Sequence, residues 1–310
     1  MNMSTEDFWP RLPWDDWKDT AATLHLWTQI VGKIRMVQTP WVNHSWHVTL
    51  KVTPRGLGTG PIPHGERTFS IDFDFQDHRL LIKDCSGDLR IVPLQAQTTA
   101  EFYRQLMEDL EDLDIPVSIN TKPNEVEDPI PFDQDEVHRN YDPGSAWRFW
   151  RVLLQVDRVF HRFRARYLGK SSPVHFFWGS FDHAVTRFSG RKAPEHPGGI
   201  PNLPDSVTRE AYSHEVSSAG FWPGGEVLPE PIFYSYAYPG PEGFSMQPVR
   251  PSAAYWHDTL GEFVLPYEAV RTSQDPEATL MDFLQSTYEA AAAAGDWDRA
   301  ALETTGQRPQ

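Results

Sequence analysis

Cysteine is nearly absent: Cys85 is the only one in 310 residues. A single thiol closes no disulfide within the chain and cannot build a zinc site on paired cysteines. Long apolar runs are missing as well. No stretch approaches the roughly 18 consecutive apolar residues of a membrane-spanning helix, so no membrane partner is expected. Positive charge is scarce, with 28 Lys and Arg against 43 Asp and Glu and a net charge of −15 with His neutral. That balance disfavours long-range attraction to nucleic acid or anionic lipid, and no nucleic-acid partner is expected. The opening stretch MNMSTEDFWPRLPWDDWKDT is acidic and lacks an apolar segment. No secretory leader is therefore expected, and a reducing cytoplasm is the simplest home. G-x-S-x-G, H-E-x-x-H and C-x-x-C do not occur, which removes the common hydrolase, zinc-protease and redox signatures.

Aromatic residues are what the chain has in quantity: 12 Trp and 18 Phe within a composition that is 39% hydrophobic. Such side chains fill cores and also line ligand pockets. Trp17, Leu24, Trp27, Val31 and Ile34 recur at helical spacing after Pro13, which predicts a first helix. WHVTLKVT reads as a strand, and RTFSIDFDF alternates, with Phe69, Ile71, Phe73 and Phe75 on one face. HRLLIKD and LRIVPL flank a turn and read as a hairpin. Thr98 and Glu101 have capping-box spacing ahead of the stripe Phe102, Leu106, Leu110 and Leu113. GLGTGP precedes prolines rather than a helix, so it reads as a turn and not as a phosphate loop.

A proline- and acid-rich stretch then leads to a second helix from about Ser145 to Tyr167. Strands are predicted at 173–178, 182–188, 210–219 and 231–238. Asp275-Pro276 opens a closing helix. The order of elements therefore repeats. The expected fold is α+β, two similar helix–four-strand–helix halves with mainly antiparallel sheets, consistent with an internal duplication. Residues 1–122 form the first unit, 123–143 a linker, and 144–310 the second unit.

Residues 171–191, SSPVHFFWGSFDHAVTRFSGR, set ionisable groups among bulky apolar ones. Either a polar site lies in an aromatic pocket, or a hydrogen-bonded network ties the core together. If 173–178 and 210–219 belong to one sheet, His175 and His214 can share a face. Both suit acid–base work near neutral pH and are the candidate catalytic residues. Asp182 can join them from the preceding turn. Two imidazoles and a carboxylate also suit a divalent cation, but the spacing matches no ligand motif and no metal is assigned. Arg187, on an apolar strand, needs a carboxylate such as Glu215 or Asp182, or a bound anion. Tyr212, Glu215, Trp222 and Tyr236 complete the candidate ligand-binding set with Asp182 and Arg187. In NHSWH, strand geometry would send His44 outward and His47 inward. Arg151, Arg158, Arg162 and Arg166 form a helical stripe for which internal salt bridging, with an acidic linker nearby, or plain solvation is the expected role rather than a grip on an acidic ligand or RNA. The expected partner is a small polar or anionic molecule. The alternative is a non-catalytic structural or interaction module. No cofactor or oligomeric state is specified.

WVNHSWHVTL, PVHFFWGSFDHAVTRFSGR, EAYSHEVSSAGFWPGG and LPYEAVRT together resemble a large bacterial family of uncharacterised proteins, domain of unknown function 5996. The resemblance covers nearly the whole chain. It implies a soluble bacterial protein of about this length and supplies no activity and no catalytic residues.

Overall fold

Pro13 cannot donate a backbone hydrogen bond, so it serves at the boundary of the first long helix, α1 (Trp14–Gln38). Asp15 and Asp16 lie in its first turn and Arg35 in its last, matching the helix dipole. The computed structural model describes residues 8–305, so the first seven residues of the acidic opening stretch lie outside it. Trp27 is fully buried and stacks on Phe102 with centroids 4.4 Å apart.

Six strands follow: β1 (Lys51–Thr53), β2 (Gly56–Gly58), β3 (Ile62–His64), β4 (Arg67–Asp74), β5 (Arg79–Asp84) and β6 (Leu89–Pro93). They form an antiparallel sheet ordered β1-β2-β4-β5-β6, with β3 also on β4. Phe69, Ile71, Phe73 and Phe75 are all buried, as the alternation predicts. GLG is strand β2, not a turn. A side chain at Gly56 would fall 1.9 Å from the Phe73 carbonyl oxygen, so glycine lets β2 lie close on β4. The helix α2 (Thr99–Asp112) carries the capping box of Thr98 and Glu101.

The second half opens with α3 (Pro143–Arg164), capped by Asp142. Its sheet contains β7 (His175–Phe177), β8 (Asp182–Lys192), β9 (His214–Trp222), β10 (Ile232–Tyr238), β11 (Tyr255–His257) and β12 (Glu262–Pro266). The order is β11-β12-β10-β9-β8-β7. Between β8 and β9 lies α4 (Asp205–Ala211), and α5 (Tyr267–Arg271), α6 (Pro276–Ala294) and α7 (Arg299–Leu302) end the described chain. The fold is thus α+β, with two similar halves and two antiparallel sheets. Each sheet has six strands rather than four. The additional strands are mostly three residues long, too short for alternation to reveal.

Residues 205–211 are helical, so β9 begins at His214 and Tyr212 is not a strand residue. The segment 43–49 is not a strand: Asn43–Ser45 is a 3-10 turn and irregular chain follows it, and both His44 and His47 are buried. Arg158 and Arg162 of α3 pair with Glu277 of α6, not with the acidic stretch. A two-way backbone bridge between Leu50 and Phe176, 2.9 Å in each direction, ties the first half to β7. One hydrophobic cluster runs from Trp9 to Trp297 through both halves. One face of the second sheet packs against α3 and α6. The other face looks onto the candidate site.

Candidate functional site

Alternation along β8 divides its side chains cleanly. His183, Val185 and Arg187 point toward the helices, while Asp182, Ala184, Thr186 and Phe188 line a cavity of about 790 Å³ on the opposite face. Val216, Ser218 and Trp222 of β9, and Tyr234 and Tyr236 of β10, extend this floor. Residues 41–48 and the α1 side chains Lys33 and Met36 form a wall. The stretch 200–212, including α4, contributes the facing side.

That facing segment is held from several directions. Glu125 N–H donates to Pro201 O at 2.9 Å, and Asn124 Nδ2 to Asn202 O at 2.6 Å. Asn202 Nδ2 donates back to Val126 O, Trp41 Nε1 donates to Glu210 Oε2 at 2.8 Å, and His44 Nδ1 lies 3.1 Å from Ala211 O. Asn124 is itself clasped by the buried amide of Gln29. Its N–H reaches Gln29 Oε1 at 2.8 Å and its carbonyl accepts from Gln29 Nε2 at 2.9 Å. The clasp satisfies both backbone groups of an irregular segment and fixes the neighbouring Glu125.

Three carboxyls face this cavity: Glu125, Asp182 and Glu262. Asp182 accepts from Ser180 Oγ at 3.0 Å and from the Tyr234 hydroxyl. Tyr234 belongs to β10 and Asp182 to β8, with β9 between them. The reach is open because Gly220 lies between them; a side chain there would fall 2.3 Å from the Tyr234 ring. Gly179 does the same for Glu125, whose Oε1 lies 2.0 Å from the place a Cβ would take. Burial holds the Asp182 carboxyl above its ordinary range. Burial, reinforced by the charge of Asp182, pushes both Glu125 and Glu262 up to about 7. Beside them Tyr212 and Tyr236 share a hydroxyl–hydroxyl bond of 2.8 Å, and Thr186 and Ser218 share another of 2.8 Å. Burial pushes the Tyr212 phenol up to about 12 and raises Tyr236 and Tyr234 further, so all three hydroxyls keep their protons at neutral pH.

Of the basic groups on the walls, Lys33 and His44 are otherwise engaged. Burial lowers Lys33 to about 8, and its ammonium donates to the carbonyls of Asn120, at 3.2 Å, and Lys122. His44 contacts Lys170. His175 is 2% exposed, and burial drops it to about 3, so its ring is neutral. Its ring packs edge-on to Phe177 at 4.6 Å, and Nδ1 has no hydrogen-bond partner among the described residues. Two more buried polar atoms of cavity residues, Ser45 Oγ and Thr208 Oγ1, also lack partners there.

Of the residues singled out from sequence, His175, Asp182, Tyr212, Trp222 and Tyr236 meet at this cavity. His214, Glu215 and Arg187 do not. His175 pairs with Ala184, which pairs with Gly220, whereas His214 begins the same β9 strand. The two levels differ by about 20 Å at roughly 3.4 Å per residue, so the imidazoles do not converge. His214 Nδ1 lies 3.1 Å from Ser213 Oγ. Glu215 accepts from Arg191 Nε at 2.9 Å. Arg187 has neither expected carboxylate. Its guanidinium sits 3.5 Å from the Phe163 ring centroid, 4.3 Å from Tyr288 and 4.9 Å from Tyr167, where ring quadrupoles replace a counter-ion.

Glu125 is not legible in the sequence, because it stands in a charge-rich stretch that reads as solvated linker. Glu262 is not legible either, because EFVLP is short. No alternation marks Glu262, because Phe263, Val264 and Leu265 after it are all buried. Among the described residues, no three His, Cys, Asp or Glu side chains are grouped to hold a metal ion, and no helix is long and apolar enough to cross a membrane. Residues 9–304 match a family described as "Family of unknown function (DUF5996)". No curated protein and no solved structure matches the chain.

Proposed function

The chain belongs to that family of unknown function, and we propose that it binds a small organic molecule in the cavity between the second sheet and the 200–212 segment. The supporting observation is a space of about 790 Å³ lined by Trp, Tyr and Phe side chains, with polar groups gathered around Asp182. Binding sites for small molecules have this size and this mixture of apolar walls and few polar contacts. The residues assigned to the ligand are His175, Asp182, Tyr212, Trp222 and Tyr236, with Tyr234, Glu125 and Glu262 added. A bacterial cytoplasm, a duplication origin and unit boundaries at residues 122 and 144 complete the proposal.

A second reading is acid–base catalysis on the bound molecule. Glu125 and Glu262, near 7, favour it, because a general acid or base works best close to the operating pH. His175, neutral far below that pH, then serves as a hydrogen-bonding group rather than as the base.

The test fills the space. Ala184→Trp from the floor and Val207→Trp from the facing segment each block the cavity. Native mass spectrometry of freshly purified protein, and melting shifts with 2-phenylethanol and related small aromatic compounds, are compared with wild type. Bound mass or stabilisation in wild type that both variants lose supports the reading. Equal behaviour of all three proteins overturns it.

A further inference from the structure

Resting on that reading of the cavity as a binding site, we infer that its ligand is a cationic amine whose ammonium docks at Asp182, with Glu125 and Glu262 facing the same space, while its carbon skeleton lies along the aromatic walls. The charge inventory carries this. Three carboxyls share one cavity, and among the described residues none of them forms a salt bridge with a Lys, Arg or His. The lining cations cannot serve: Lys33 is spent on the carbonyls of Asn120 and Lys122, His44 faces Lys170 and Ala211, and His175 is neutral. The remaining ionisable neighbours are Tyr234 and Tyr236 on the cavity floor, Tyr212 on the facing segment and His183 behind Asp182. His183 turns its Nε2 to Asp157 of α3, 3.2 Å away. Buried carboxyls without a counter-ion are costly as anions, and an ammonium supplies the missing charge with three hydrogen-bond donors.

A second feature points to a ligand independently of charge. His175, 2% exposed, lines the same cavity, and its buried Nδ1 has no hydrogen-bond partner among the described residues. Native proteins seldom leave such groups unmatched unless water or a ligand meets them. The neutral ring offers an acceptor, and an N–H of an amine is a suitable donor. A metal ion is the weaker fit, because the carboxyls do not group as a metal site.

The amine also predicts a proton linkage. A cation favours the ionised carboxyls, so its binding releases protons and strengthens as pH rises. Three probes of equal size separate the possibilities: 2-phenylethylamine, 2-phenylethanol and phenylacetate, titrated calorimetrically into the full chain at pH 5.5 and pH 8. The expected result is that only the amine gains affinity, about tenfold or more, between the two pH values. Glu262→Gln and, separately, Asp182→Asn should reduce amine affinity without weakening the alcohol. If the alcohol or the acid binds as well as the amine, the cavity is a binding site and the amine assignment falls. Amine binding that ignores both substitutions overturns it equally. If no probe binds and the Ala184→Trp protein matches wild type in every measurement, the cavity reading falls with it.

Discussion

Glu262→Gln tests the electrostatics of the cavity most directly. Folding moves this carboxyl from 4.5 up to about 7, through burial first and the charge of Asp182 second. Between those values the folded chain holds a proton that the unfolded chain has released. Folding is therefore coupled to proton uptake, and raising the pH through this window destabilises the wild type. At 1.36 kcal/mol per pH unit the full effect is about 3 kcal/mol, and solvent in the cavity reduces it to about 2 kcal/mol. Gln keeps the shape and loses the titration. Other groups cloud the absolute profile. His25 and His175, lowered to about 4 and about 3 mainly by burial, take up protons more readily when unfolded, so they raise stability as pH rises toward 6.5. The difference between variant and wild type cancels them. Urea unfolding from pH 5 to pH 8.5 should show the variant gaining about 2 kcal/mol relative to wild type across the window, most of it between pH 5 and pH 7. A flat difference curve would refute the claim that this carboxyl is buried and lacks a counter-ion.

His214→Ala should leave stability within about 0.5 kcal/mol of wild type and leave probe binding unchanged, since the residue lies off the cavity; a loss of binding would return it to the site. His175→Phe removes an unmatched ring nitrogen at nearly constant shape and should raise the urea-derived stability by about 1 kcal/mol while weakening amine binding. Gly32→Ala would place its Cβ 2.0 Å from the Trp178 indole nitrogen, which donates to Val48 O at 2.8 Å. Overpacking there should cost about 2 kcal/mol or more, read from the melting temperature. Arg187→Met keeps contact with Phe163, Tyr167 and Tyr288 without a buried charge, so chemical denaturation should place it within about 1 kcal/mol of wild type, whereas Arg187→Glu, a buried anion against ring faces, should not fold.

Periodicity alone was enough for the long elements. The Phe69, Ile71, Phe73 and Phe75 alternation and the Thr98–Glu101 cap are local patterns that the physics of one strand or one helix terminus enforces, and so is the Asp275-Pro276 start of α6. The α+β class and the repeat of two similar halves follow from them. Strand alternation on β8 sends Asp182 and Arg187 to opposite faces, a parity that the expectation of Asp182 as a partner for Arg187 overlooked.

Register and packing across distant segments were decided only in three dimensions. No local pattern states that Gly220 lets Tyr234 reach Asp182 across an intervening strand, or that Gln29 clasps Asn124 and so delivers Glu125 to the cavity. Nor does one tell that 205–211 turns helical and moves His214 to the strand's far end. Each depends on which backbones come to lie within hydrogen-bonding distance, and that is settled by burial of the whole core rather than by the residues in any one window.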